Sequence, residues 1–413
     1  MVLRPWGFPE YSPSEQVVFD RIHSIIEKQY RSFWYAHIYT PAVEANKILL
    51  AKSGNETSKQ IFGLYGLAQG WEDLKDYSLH FDLTIPFARY ILDHEGDITF
   101  PFKRYQIQPV RRWERAQRWR FREFWQCDID TVRRADSPHS MLFYDAETLV
   151  VIANIFEELR QTYFSDMSIT IHYNDRKFLT KLLDHYPNKT QLYTLFDKYY
   201  KIWVQKFNEE LTNLLWVTEA KNIQQQLTMP EKNPELLLLE EYLQKINIQN
   251  LKFVFDPFIT RGLDYYTGMV YETFFDDDMS LGSISSGGRY DNLTTYIDPK
   301  KNFSGVWGSI WISRLVSLIF EKWTWSKQSP AEYLCINFLE TLPDICLVAN
   351  KLRSEWCTVD IYPFADKLGK QFAYADKKWI PYVIILWTWE KEAGTYKIKH
   401  MKTGEEEILS FVF

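Results

Sequence analysis

The sequence predicts an α+β domain on a mostly antiparallel sheet, interrupted by a helical insertion and followed by a C-terminal α/β domain. Three observations predict it. Residues 105–130 alternate in polarity on either side of an arginine-rich stretch, as a long antiparallel pair does. Residues from about 172 to 250 are charged, poor in glycine and mostly helical in pattern, which reads as an insertion with its own small core. After Ser329-Pro330 the pattern changes to strand and helix in alternation.

Taken in order, Ser12-Pro13-Ser14-Glu15 reads as a capping box with proline at the first helical position. Val18, Ile22, Ile25 and Ile26 then recur at helical spacing, so an amphipathic helix follows. Between Asp82 and Tyr105, around Pro86 and Pro101, the pattern is shorter and strand-like. A second capped helix is expected from Ser137-Pro138, with Leu142, Ala146, Leu149, Ala153, Phe156 and Leu159 on one stripe. Strand signals return at Phe253-Val254-Phe255 and run through Val270-Tyr271; Gly287-Gly288 reads as a tight turn, and a helix is expected over 313–323. Residues 334–338, 358–362 and 382–386 read as strands separated by helices. That order predicts a separate, largely parallel domain of about 80 residues.

At 413 residues, two or three domains are expected. A hydrophobic content of 46% with 25% charged residues fits a soluble protein, and no apolar run approaches the roughly 18 residues that span a bilayer. Residues 1–10 lack the basic start and apolar core of a signal peptide. Cys127, Cys335, Cys346 and Cys357 are scattered without C-x-x-C spacing, which argues against a structural zinc or a disulfide framework and fits a cytoplasmic protein. A net charge of -6 argues against indiscriminate coating of nucleic acid, but it leaves room for a local basic surface meeting one structured RNA.

The chemistry concentrates between Lys103 and Arg122, where eight basic residues face only Glu114, with Glu123 just beyond. A solvated hairpin would show the same charge. Here, however, arginines alternate with Trp113, Trp119, Phe121 and Phe124, a mixture suited to stacking on a purine while guanidinium groups hold phosphates. The run ends in Gln126-Cys127-Asp128-Ile129-Asp130, whose alternation puts Gln126, Asp128 and Asp130 on one strand face. Cationic loop and polar face could together bind a nucleotide beside a small polar substrate.

Four segments in order resemble the histidyl-tRNA synthetases, a class II aminoacyl-tRNA synthetase family. Arg112-Trp113-Glu114 with Arg120-Phe121-Arg122-Glu123-Phe124 looks like motif 2, and Arg261-Gly262-Leu263-Asp264-Tyr265-Tyr266 resembles the histidine-specific signature. Asp82-Leu83-Thr84 with Pro86-Phe87-Ala88-Arg89-Tyr90, and Gly287-Gly288-Arg289-Tyr290-Asp291, match two more segments. Residues 367–374 and Ile380-Pro381 are similar to the family's anticodon-binding domain. The resemblance implies a catalytic domain over 1–170 and 251–326, a helical insertion domain over 171–250 and an anticodon-binding domain over 330–413. It implies activation of L-histidine with ATP and Mg²⁺, transfer to tRNA(His), and a homodimer with no membrane association. A competing expectation is a synthetase-like regulatory or binding subunit without catalysis; a synthetase for proline or threonine is a further one, against which the Arg261 to Tyr266 peptide argues.

By the family pattern Arg112 holds the α-phosphate, Glu114 the adenine side, Phe124 stacks on the base, and Arg120 and Arg314 complete the ATP site. Arg261 is the histidine-specific cation beside the α-phosphate. Asp82 and Gln126, helped by Leu83 and Thr84, meet the amino acid's ammonium. Asp130 and Tyr266 satisfy the imidazole nitrogens, with Tyr265 and Tyr290 close by. No protein-held metal is expected. Several positions depart from the pattern in one direction: Trp71, Trp119, Trp307, Trp311, Trp379, Trp387 and Trp389 stand where glycine is usual. There are 16 glycines, against roughly 29 from typical usage, and 16 tryptophans. The sequence raises the expectation of a glycine codon rendered as tryptophan; a degenerate paralogue with a filled nucleotide site is the alternative. His80 stands where arginine is usual, and Ser313 where glutamate is usual.

Overall fold

The computed structural model describes residues 5–51, 58–66, 76–137, 140–246, 248, 251–260, 266–278, 281–292, 294–322 and 327–411. Arg261, Tyr265, Trp71 and Pro138 lie outside them. The chain divides into two compact units: Met1–Pro9 with Ile22–Trp323, and Glu10–Arg21 with Thr324–Phe413.

The first unit is organised by an eight-stranded sheet of order β1-β4-β5-β10-β9-β8-β6-β7. Its strands are β1 (Ala36–His37), β4 (Phe102–Arg111), β5 (Glu123–Arg134), β6 (Ile169–Asp175), β7 (Leu251–Phe255), β8 (Met269–Phe275), β9 (Ser285–Tyr290) and β10 (Phe303–Trp311). β2 (Val43–Ala45) and β3 (Tyr77–Leu79) form a separate antiparallel pair. Only β1–β4 and β6–β7 are parallel, so the sheet is mostly antiparallel. β4 and β5 are the long pair expected around the arginine-rich loop.

The Pro13–Ser32 helix starts as its sequence predicts, with Pro13 in the first turn and the Ser12 N–H donating to Glu15 Oε2 at 2.7 Å. The helix over Leu142–Tyr163 buries all six residues of the predicted stripe. It begins later than Ser137-Pro138, where the Leu142 N–H meets Ser140 Oγ at 3.1 Å. Ile312–Lys322 is helical as expected.

Two local expectations are corrected. Residues following Asp82 form a helix, Thr84–Asp93, and not a strand. Pro86 sits in its first turn, where a backbone N–H has no partner within the helix, so its absence costs nothing. Ile85, Phe87, Ala88 and Ile91 pack inward. Gly287-Gly288 is no turn but the middle of β9. A Cβ on Gly288 would lie 2.6 Å from the Met269 carbonyl and 2.7 Å from the Tyr266 ring; glycine is there for close approach.

Residues 176–245 carry five α-helices, after β6 has used His172 as a strand residue. Phe178, Leu182, Leu192, Phe196, Phe207 and Leu211 are among the buried side chains of their apolar cluster. Asp175 caps the Arg176–Leu183 helix and Asn233 the Pro234–Lys245 helix, each accepting a backbone N–H at 2.8 Å.

The second unit holds a five-stranded sheet of order β12-β11-β13-β14-β15. β11 (Tyr333–Cys335), β12 (Val359–Ile361) and β13 (Tyr382–Ile385) are parallel, as the β-α-β-α-β pattern requires. β14 (Thr395–His400) and β15 (Glu406–Ser410) add an antiparallel extension that the sequence reading missed.

Candidate active site

Strand alternation and register lay a polar floor across four strands. Arg104 on β4 pairs with Asp130 on β5, which pairs with Trp307 on β10, which pairs with Gly288 on β9. The next row is Gln106, Asp128, Ser309 and Ser286, and the next Gln108, Gln126 and Trp311. Because side chains of alternate residues share a face, these rows stand on one side of the sheet. Cys127 and Ile129, between them, are buried on the other side.

The Asp130 row holds a buried ion pair. The Arg104 and Asp130 side chains are both fully buried, 2.6 Å apart, and the Tyr290 hydroxyl donates to Asp130 Oδ1 at 2.6 Å. Burial pushes the Asp130 carboxyl up to about 7, with Arg104 and Tyr290 opposing the rise. Arg104 also donates to Gln106 Oε1 at 3.1 Å and lies 4.2 Å over the Phe87 ring. In the second row burial raises the Asp128 carboxyl, which accepts from Gln126 Nε2 at 3.3 Å and from the Trp307 indole N–H at 3.0 Å. Tyr266 stacks parallel to Trp307, ring centres 6.3 Å apart. Just ahead of the Thr84–Asp93 helix, Asp82 Oδ1 accepts the Ile85 N–H at 3.2 Å, and burial pushes the Asp82 carboxyl up to about 6.

Beside this floor lies a cleft of about 150 Å³ lined by Arg112, Glu114, Trp119, Arg120, Phe121, Phe124, Trp311 and Arg314. The Arg112 guanidinium sits 5.0 Å over the Phe124 ring and donates to the Phe81 carbonyl at 2.9 Å. Glu114 and Arg120 form an ion pair at 2.5 Å. Arg314 donates to the Ser283 carbonyl and stands 5.1 Å over the Trp311 ring. Cations around an aromatic slot, next to a recessed carboxylate floor, suit a phosphate-bearing purine beside a small amine.

A family model described as histidyl-tRNA synthetase matches residues 7–307, and one described as anticodon binding domain matches residues 336–412. The chain belongs to the histidyl-tRNA synthetase family. It is 36% identical to the histidine–tRNA ligase of Clostridium tetani, over 98% of this chain and 95% of that one. It is 37% identical to the ligase of Bifidobacterium animalis subsp. lactis, over 97% and 93%. The crystal structure of histidyl-tRNA synthetase from Nostoc sp. PCC 7120 superposes with a TM-score of 0.85 at 32% identity, covering 99% of this chain and 96% of that one.

For a synthetase of this family, the structure gathers Asp82, Leu83, Thr84, Gln126, Asp130, Tyr266 and Tyr290 around the floor, and Arg112, Glu114, Arg120, Phe124 and Arg314 around the cleft. Leu83 is buried and its carbonyl lies 3.5 Å from Arg104 Nη2; Thr84 is buried at the helix start. Arg261 and Tyr265 fall outside the described residues. Sequence reasoning missed Arg104, which it counted as one of a basic run. The signal was present: Arg104, Gln106 and Gln108 alternate as Gln126, Asp128 and Asp130 do, and antiparallel pairing places the two sets opposite each other. His80 is fully buried with Nε2 3.0 Å from the Pro109 carbonyl, and burial lowers its pKa. Ser313 is buried too, and its hydroxyl accepts the Trp125 N–H at 3.0 Å.

Proposed function

We propose that this chain activates L-histidine with ATP and transfers it to the 3′ end of tRNA(His). The single observation that supports this best is the polar floor, with its buried Arg104–Asp130–Tyr290 constellation, adjoining the Arg112–Phe124–Arg314 cleft. An imidazole needs a partner at each nitrogen. A carboxylate offers about four acceptor sites, so Asp130 can take a ring N–H while keeping Arg104 and Tyr290. Tyr266 serves the second nitrogen. Asp82 and Gln126, with Thr84 alongside, hold the ammonium group. A rival side chain would leave these groups unpaired, which can separate amino acids by about 10⁴ or more.

Adenylate formation is attack of the histidine carboxylate on the α-phosphorus with loss of pyrophosphate; the tRNA ribose hydroxyl then attacks the acyl carbon and AMP leaves. Little proton transfer accompanies the first step, so alignment and charge neutralisation supply most of the rate. Arg112 serves the α-phosphate and Phe124 the base face. Glu114 lies on the adenine side, Arg120 and Arg314 on the outer phosphates and rim, and Arg261 is assigned beside the α-phosphate from its motif alone. No cluster of three or more His, Cys, Asp or Glu side chains able to hold a metal occurs among the described residues. Mg²⁺ would be held mainly through the nucleotide's own phosphates, whose charge it would share.

Residues 330–413 act as the anticodon-binding domain, 1–170 with 251–326 as the catalytic domain, and 171–250 as a helical insertion domain. The enzyme works as a homodimer in the cytoplasm; no helix among the described residues is long and apolar enough to cross a membrane. The regulatory-subunit reading is disfavoured because Arg112 and Arg314 are in place and the anticodon-binding model matches. Histidine-dependent exchange of pyrophosphate into ATP tests the proposal, run on the chain carrying glycine at 119, 307 and 311. Exchange with histidine and none with proline or threonine is expected; absence of histidine-dependent exchange rejects it.

A further inference from the structure

We infer that positions 34, 119, 307, 311, 356 and 379 hold glycine in the protein its own cell makes, and that both substrate pockets are open in that form. Among the described residues four non-glycine residues have positive φ, and all four are tryptophan: Trp34 (64°), Trp119 (60°), Trp356 (66°) and Trp379 (53°). Bulky side chains are true outliers in this region, and the non-glycine residues that do enter it are mostly Asn, Asp and His. None of those does so here.

The hydrogen bonds explain what the backbone wants. After the Pro13–Ser32 helix, the Tyr35 N–H bonds the Tyr30 carbonyl at 3.1 Å and the Trp34 N–H bonds the Arg31 carbonyl at 2.9 Å. After Leu342–Ser354 the same pair joins Cys357 to Leu352 and Trp356 to Arg353, at 3.0 and 3.1 Å. After Leu368–Lys377 it joins Ile380 to Ala375 and Trp379 to Asp376, both at 3.0 Å. Each is a Schellman closure, with tryptophan at the position glycine usually takes. Trp119 occupies the third position of a tight turn in which Gln117 and Arg120 exchange both backbone bonds at 3.0 Å. Positive φ at that position is what a type II turn demands of glycine. At two of these helix ends the indole gains almost no burial in return, Trp34 being 90% exposed and Trp356 95%; Trp379 is 47% exposed. Trp203 and Trp216, 83% and 85% exposed, stand at helix N-caps without a side-chain cap, where glycine is accepted and tryptophan is not.

Trp307 and Trp311 are placed by sterics instead. The Trp307 indole fills the floor between Asp128 and Tyr266, and Trp311 with Trp119 lines a cleft of about 150 Å³. Small-molecule sites ordinarily measure roughly 300–1,000 Å³. Glycine at these positions frees the floor and the cleft together. At Trp387 and Trp389 the backbone is not left-handed; Trp387 stands, like Trp203 and Trp216, at a helix N-cap, and none of these three is among the six positions. A codon read as tryptophan by one genetic code and as glycine by the cell accounts for the whole set; UGA, a stop in the standard code, is the candidate.

The left-handed backbone calls for glycine whatever the reaction; only the consequence for catalysis rests on the proposed function. The test is to read the codons at the six positions and to sequence, by mass spectrometry, peptides of the protein purified from its own host. UGA in the gene and glycine in the peptides are expected. Tryptophan in the peptides at any of the four positive-φ positions overturns the inference, and tryptophan at 307 or 311 overturns its extension to the pockets. In parallel, ATP binding is titrated on the all-glycine chain and on the tryptophan chain. At least tenfold tighter binding to the glycine chain is expected, and equal binding overturns the claim that the indoles close the cleft. Glycine peptides and tight ATP binding without histidine-dependent exchange would uphold this inference while rejecting the proposed reaction.

Discussion

Arg104 and Asp130 stand opposite each other on β4 and β5, fully buried, with guanidinium and carboxylate 2.6 Å apart. Removing one member of such a pair leaves the other charge buried and uncompensated, at a cost of about 3–5 kcal/mol. Arg104→Leu is expected to lose stability on this scale in urea unfolding, and the double change with Asp130→Leu to recover much of it. A double variant no more stable than the single one would count against the pairing.

The Tyr290 hydroxyl bond to Asp130 allows a gentler probe. Tyr290→Phe keeps the ring and removes one charge-assisted hydrogen bond, worth about 1.5–3 kcal/mol. The expected result is kcat/KM for histidine lowered about tenfold or more with KM for ATP little changed. Pyrophosphate exchange at varied concentrations of each substrate separates the two.

The pH dependence of stability has a definite sign. Burial raises the carboxyls of Asp130 to about 7 and of Asp82 and Asp145 to about 6. A carboxyl whose folded value lies above its unfolded value of about 3.9 binds its proton more tightly when folded. Its contribution is therefore complete below that unfolded value and fades as pH rises through the folded value. Asp130→Asn, tested against the parent by urea unfolding between pH 4 and pH 8 in common buffers, should flatten the part of the curve between about 4 and 7. An unchanged slope would remove Asp130 from this account.

Arg112 touches the cleft through Phe124 and is held by the Phe81 carbonyl. Replacing it by alanine in the glycine-restored chain is expected to cost about 10²–10³ in exchange rate, the scale of one lost charge-stabilising donor. KM for histidine should change far less, and lysine should restore only part, because the planar fork and the stacking are lost.

Trp34→Gly and Trp356→Gly each remove a strained left-handed residue whose side chain gains almost no burial. The left-handed conformation costs about 1–2 kcal/mol for a residue with a Cβ, partly offset by the greater unfolded-state freedom of glycine, about 0.4–1 kcal/mol. A net gain of about 1 kcal/mol or less per site is expected, read as a rise in the thermal midpoint. Trp34→Ala should recover none of it, since alanine keeps the Cβ.

Local order determined what the sequence could say. Alternation along 105–130 and helical spacing after Ser12 identified the long antiparallel pair and the first helix, and the β-α-β-α-β run identified the parallel core of the second unit. The motifs named the family and supplied most of the residues proposed for the site, because short-range chemistry is written in consecutive residues. Tertiary contact decided the rest. The segment after Asp82 reads as strand by composition, yet it closes as a helix because Asp82 takes up the first-turn Ile85 N–H and its apolar face packs inward. Gly287-Gly288 looks like a turn until the Tyr266 ring and the Met269 carbonyl crowd against it. Arg104 became more than one cation in a basic run only when strand pairing set it against Asp130, since register lies in the relation between two segments and in neither one alone. The excess of tryptophan was legible in composition; that four of those residues sit where a Cβ is unwelcome is a statement about φ, which the folded backbone alone supplies.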